Sequence, residues 1–153
     1  MKRIVVLSDT HGLLRPEVLD HLANADAIIH GGDINTKAIV YTLRGFAPLY
    51  IVRGNNDKEW AEGLPHSLTF TIEGVRFFVV HNKRDIREDM SSVDVVVYGH
   101  SHKYACEKRD GVLWIHPGSC GRRRFDQEIT MAVMSAEGVQ FQVEKVTSPH
   151  EQK

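Results

Sequence analysis

Seven side chains suited to binding a divalent metal stand just beyond short apolar runs. Asp9 and His11 follow residues 4–8, Asp33 follows 27–30 behind Gly31-Gly32, and Asn55 follows 49–53 behind Gly54; His81 follows 77–80, and His100 and His102 follow 93–98. Two carboxylates, one amide and four imidazoles, with no thiolate, suit hard or borderline ions such as Mn²⁺, Fe²⁺, Co²⁺, Ni²⁺ or Zn²⁺. Seven donors exceed the need of one ion. Two ions can share them at four protein donors each if one carboxylate bridges, and Asp33 is the natural bridge. A single Asp or His at a strand end is more commonly a turn former or a hydrogen-bonded polar residue. It is the joint occurrence at five strand ends that carries the metal reading.

The elements that must position these donors are legible as apolar patterns. Nearly continuous runs at 3–8, 26–30, 49–53, 76–81 and 93–98 read as strands buried on both faces. Between the first three lie helical patterns. Residues 16–24 place Val18, Leu19 and Leu22 on one stripe behind Pro16, and residues 35–46 do the same with Ile39, Val40, Leu43 and Phe46, with Gly45 near the end. Strand, helix, strand, helix, strand implies parallel strands with right-handed crossovers. The carboxyl ends of parallel strands share an edge where ligand sites form, so donors far apart in sequence can meet there. The second half reads as three hairpins turning at Glu73-Gly74, Asp110-Gly111 and Glu137-Gly138. The expected fold is α/β of mixed α+β character, with two mixed sheets packed together and helices outside. It forms a single domain over 1–153 with a frayed tail at 148–153.

Composition bounds the partners. The formal net charge of −1 excludes a broad cationic surface, and with it tight binding to long nucleic acid or anionic lipid. The apolar run 4–7 is too short for a signal-peptide core, and no segment approaches the ~20 apolar residues of a membrane span, so a soluble, cytoplasmic protein is expected. Cys106 and Cys120 lack zinc-type spacing and read as reduced thiols, Cys120 near the mouth of the site. His30 reads as a hydrogen-bonded core histidine, His116 as a strand-end residue that either approaches the site or packs, and Trp60 and Trp114 as packing residues. His21, His66 and His150 read as surface residues. Arg122-Arg123-Arg124 has the composition of a solvated loop, with Arg122 and Arg124 as candidate contacts to substrate phosphate.

Taken in order, Asp9-Thr10-His11-Gly12, Gly31-Gly32-Asp33, Gly54-Asn55-Asn56-Asp57, His81 and Gly99-His100-Ser101-His102 resemble the motifs of the calcineurin-like metallophosphoesterases. Length and the hairpin-rich end resemble its small prokaryotic YfcE-type phosphodiesterase branch, over about residues 3–147. The resemblance implies a four-layer αββα sandwich. It implies one ion on Asp9, His11, Asp33 and His102 and a second on Asp33, Asn55, His81 and His100, with Mn²⁺ or Ni²⁺ foremost. It implies hydrolysis of a small phosphodiester or nucleotide-type ester by a metal-bridging hydroxide. Asp57 would orient the site from behind, and Asn56 would contact phosphate. Two departures stand out. Many relatives carry His where this chain has Asn56, which cannot act as an acid; relatives in the small branch commonly carry Cys there. Where relatives read His-Gly-His, this chain reads His81-Asn82-Lys83. Two rival readings are a catalytically weak binding scaffold on the same fold, which predicts broken donor positions, and a nuclease for short nucleic acid. Exposed hairpin edges leave a homodimer open.

Overall fold

The computed structural model describes residues 2–55, 57, 59–87, 89–121 and 128–147. Arg122, Arg124 and Asn56, three of the expected site residues, lie outside them, as does the expected frayed tail.

Two five-stranded mixed sheets form the body. In the first, β1 (Lys2–Leu7), β2 (Ala27–His30) and β3 (Leu49–Ile51) run parallel, joined by α1 (Pro16–Leu22) and α2 (Lys37–Arg44). The hairpin β9 (Thr130–Glu137) and β10 (Gln140–Thr147) adds antiparallel strands beside β1. In the second, the hairpin β4 (Ser67–Ile72) and β5 (Val75–Val80) leads into β6 (Val95–Val97), which lies parallel to both β5 and β8 (Val112–His116). The remaining strand, β7 (Ala105–Arg109), pairs antiparallel with β8.

Alternation along each strand decides the layering. Ile4, Val6, Ile29, Phe77, Val79, Val97, Ile115 and Met134 form the core between the sheets. The opposite side chains of the first sheet, Val5, Leu7 and Ile28, pack on Val18, Leu22, Ile39, Val40 and Leu43 of the two helices. Those of the second sheet, Phe78, Val80, Val96 and Tyr98, are covered by Ile86 and Met90. The expected four-layer order holds, with the fourth layer reduced to the 3-10 turn Lys83–Asp85 and the loop after it.

Several element boundaries differ from expectation, two of them for reasons visible in the backbone or register. The second helix begins at Lys37 rather than 35, because Asn35 takes a left-handed φ of 74° and Thr36 is extended. The first helix ends at Leu22. The last hairpin turns on Gly138-Val139, one residue later than expected: Glu137 already pairs with Gln140, and Gly138 supplies the positive φ of 60°.

Candidate metal centre

The rim at the carboxyl ends of β1, β2, β5 and β6 gathers donors from both sheets. Among the described residues, one ligand atom from each of Asp9, His11, Asp33 and His102 lies within 4.8 Å of the others. Nε2 of His11 is 3.2 Å from Nε2 of His102, 3.7 Å from Oδ2 of Asp33 and 3.9 Å from Oδ1 of Asp9; His102 Nε2 is 3.5 Å from that same Oδ1. Donors around one tetrahedral ion are separated by roughly 3.3–3.6 Å, given bonds of about 2.0–2.2 Å. The set therefore has the spacing of a coordination shell. Its carboxylates and imidazoles are buried.

His81 joins this group from the second sheet, with Nε2 at 3.1 Å from Asp33 Oδ2 and 3.9 Å from Asp9 Oδ1. Its Nδ1 lies 2.8 Å from the Gly31 carbonyl, which can only accept, so Nδ1 carries the proton and the Nε2 lone pair is available to a metal. In this tautomer neither His81 Nε2 nor Asp9 Oδ1 has a hydrogen-bond partner among the described residues. Buried polar atoms without partners are costly, and a cation would satisfy both. The residues thus fit divalent ions. His100 places its ring 5.4 Å from that of His81 and is exposed, and Asn55, also exposed, lines the same cleft as His81.

Backbone conformation aims these side chains. Asp9, His11, Asp33, His100 and His102 all have φ between 47° and 85°, a region costing a non-glycine residue about 1 kcal/mol or more. The neighbouring structure enforces it. Asp9, His11 and Gly12 donate N–H to the carbonyls of Gly32, Asp33 and Ile34, so the two ligand loops run side by side. His30, fully buried, accepts from the Gly32 N–H at Nδ1 and therefore donates from Nε2 to the Thr10 hydroxyl, which donates to the Ile34 carbonyl. Burial holds this imidazole down near 3, so it stays neutral. Asp57 accepts from the backbone N–H groups of Ile34, Asn35 and Gly54, pinning the Asp33 loop to the Asn55 loop. It ties these loops together behind the donor side chains. Gly54 is needed for close approach, since a Cβ there would overlap the amide nitrogen and Oδ1 of Asp33.

Burial drives the Asp9 carboxyl up to about 7, above the usual carboxylate range. Burial alone would push the His81 imidazole down, but the Asp33 and Asp9 carboxylates beside it hold it above the usual histidine value. A cation would displace the proton from this group of sites.

The family profile described as the calcineurin-like phosphoesterase superfamily domain matches residues 1–138. The chain belongs to the calcineurin-like phosphoesterase superfamily. It is 31% identical over 130 residues to a probable metallophosphoesterase of Methanothermobacter thermautotrophicus, covering 76% of each chain. It is 29% identical over 140 residues to a phosphodiesterase of Methanocaldococcus jannaschii, covering 77% of this chain and 84% of that one. The solved structure of Vps29 from Chaetomium thermophilum superposes with a TM-score of 0.78 at 20% identity, covering 96% of this chain and 98% of that one, which is a likeness of fold.

The rim also uses residues 117–121, a segment from which sequence reasoning singled out only Cys120 and missed the role of Ser119. Ser119 donates its hydroxyl to the Asp9 carbonyl, Cys120 Sγ lies 3.9 Å from the Ser8 carbonyl, and Arg15 Nε donates to the Gly121 carbonyl. This loop supports the Asp9 loop from below. Cys120 is therefore buried beneath the ligand loop rather than near the mouth, and burial pushes its thiol up to about 12. Only the small residues at 118–121 hinted at such close packing. His116 is buried against Tyr98 with Nδ1 accepting from the Gly118 N–H, which is the packing alternative of its two readings. Trp60 and Trp114 pack on the outer cores.

Proposed function

We propose that this chain is a metal-dependent phosphodiesterase with two ion sites. Asp9, His11, Asp33 and His102 would hold one ion, and Asp33, Asn55, His81 and His100 the other, with Mn²⁺ or Ni²⁺ the first ions to try. When bound, such ions supply positive charge to the phosphoryl oxygens and lower the pKa of a coordinated water. The residues do the rest. His81 is held in the tautomer that presents Nε2 by the Gly31 carbonyl. The loops carrying Asp9, Asp33 and Asn55 are locked together by His30 and Asp57. The first donor set is buried, whereas Asn55 and His100 are exposed, so the ester approaches from their side.

The observation that carries this reading is the convergence of four donors within 4.8 Å, with His81 at 3.1 Å from a carboxylate of that set. A scaffold that had lost catalysis would be expected to have lost part of it. The test is turnover of bis(4-nitrophenyl) phosphate by protein loaded with Mn²⁺ or Ni²⁺. Chelator-sensitive release of 4-nitrophenol is expected. Loaded protein that leaves the diester intact under conditions where a relative cleaves it would reject the reading.

A further inference from the structure

A cleft of about 400 Å³ opens directly from the candidate ligands Asn55 and His81. That volume is within the range of small-molecule sites. From His81 the cleft runs back past Val80 to Phe78, a distance of about 10 Å at strand rise. Ser67, paired with Val80 at the start of β4, and His66 before it form one wall, and Asp85 of the 3-10 turn forms another. The floor is apolar and the walls offer hydroxyl, imidazole and carboxylate groups. An ester whose phosphorus sat at the metal centre would extend its organic arm along this channel.

The charges define what that arm can be. Among the described residues the lining carries one cation, Arg53, against two anions, Asp57 and Asp85. Arg53 donates to the Asp57 carbonyl at 3.0 Å, and the Asp57 carboxylate is taken up by three backbone N–H groups. Asp85 is exposed to the cleft. A hydroxyl-bearing group finds partners here, while a further phosphate that reaches the Asp85 wall meets a carboxylate.

We propose that this cleft seats an uncharged, hydroxyl-bearing arm of about nucleoside size and selects against a second phosphate on that arm. The assignment rests on the phosphoesterase reading above and narrows its substrate class to esters with a single phosphate next to a neutral sugar or nucleoside.

The test is calorimetric binding of adenosine 5′-monophosphate and adenosine 3′,5′-bisphosphate to the Mn²⁺-loaded protein, with turnover of bis(4-nitrophenyl) phosphate measured on the same preparation. The monophosphate should bind more tightly. Asp85→Lys should move the ratio of the two affinities toward the bisphosphate by about 3- to 10-fold, the range of an exposed charge interaction. Glu144→Lys, on the far edge strand β10, makes the same change of charge and should leave the ratio where it was. A ratio unmoved by Asp85→Lys, an equal shift in Glu144→Lys, or no binding of either nucleotide overturns the cleft assignment. Turnover of the diester alongside any of these would leave the phosphoesterase reading standing. Absence of turnover alongside the expected shift would reject that reading and keep the cleft.

Discussion

Lowering the pH should weaken metal binding by an amount set by the Asp9 carboxyl. Burial raises its pKa to about 7, and His81, which faces it at 3.9 Å, is also raised. The Asp9 carboxyl by itself supplies about one of the protons that a cation displaces, and any proton held by His81 adds to it. At pH 8 a group titrating near 7 is mostly ionised; at pH 5.5 only about 3% is. The difference costs about 2 kcal/mol, or roughly 30-fold in affinity for Mn²⁺. The signs for the metal-free protein agree. The Asp9 carboxyl holds its proton more tightly folded than unfolded, so its contribution to stability is greatest below about 4 and is lost as pH rises toward 7. His81, raised likewise, contributes below its unfolded value and loses that contribution as pH rises through its folded one. Both make the metal-free protein less stable at pH 8 than at pH 5.5, and metal should reverse the order. Titration calorimetry in two buffers of different ionisation enthalpy reads both the affinity and the proton count. Release of at least about one proton per chain at pH 6 is expected. Equal affinity at pH 5.5 and 8 with no proton release would refute the reasoning.

Other outcomes follow from the same contacts. Asp33→Asn keeps a residue tolerant of the left-handed backbone but removes the charge nearest both donor sets, and diester turnover should fall by about 10³-fold or more, with metal content measured alongside. Gly54→Ala drives a Cβ into the Asp33 backbone and should cost about 2 kcal/mol and several degrees in Tm, whereas Gly63→Ala, with open space around it, should unfold close to wild type. Of the two thiols, Cys106 should react with a maleimide at pH 8 in the folded protein, while Cys120 should react only after denaturation.

Strands β1, β2, β5 and β6 were legible because burial on both faces writes itself as unbroken apolar runs, and two hairpin turns because Glu73-Gly74 and Asp110-Gly111 carry the positive φ pair that such turns need. All seven candidate donors were legible as polar residues closing those runs. Their aim was not. That Asp9, His11 and Asp33 adopt left-handed backbone depends on rungs between two loops, and nothing local in these residues announces it. The brace from Ser119 to Asp9 spans 110 residues and depends on a hydroxyl that reads like any other serine. The third hairpin slipped by one residue because a lone glycine fits either turn position, and the neighbouring strand decides which.

Anomalous scattering from crystals of the Mn²⁺-loaded protein addresses the central claim most directly. Two peaks per chain are expected, one within bonding distance of Asp9, His11 and His102, the other of Asn55, His81 and His100, with Asp33 touching both. No peak at this rim, or a single ion leaving Asn55, His81 and His100 without a metal, would contradict it.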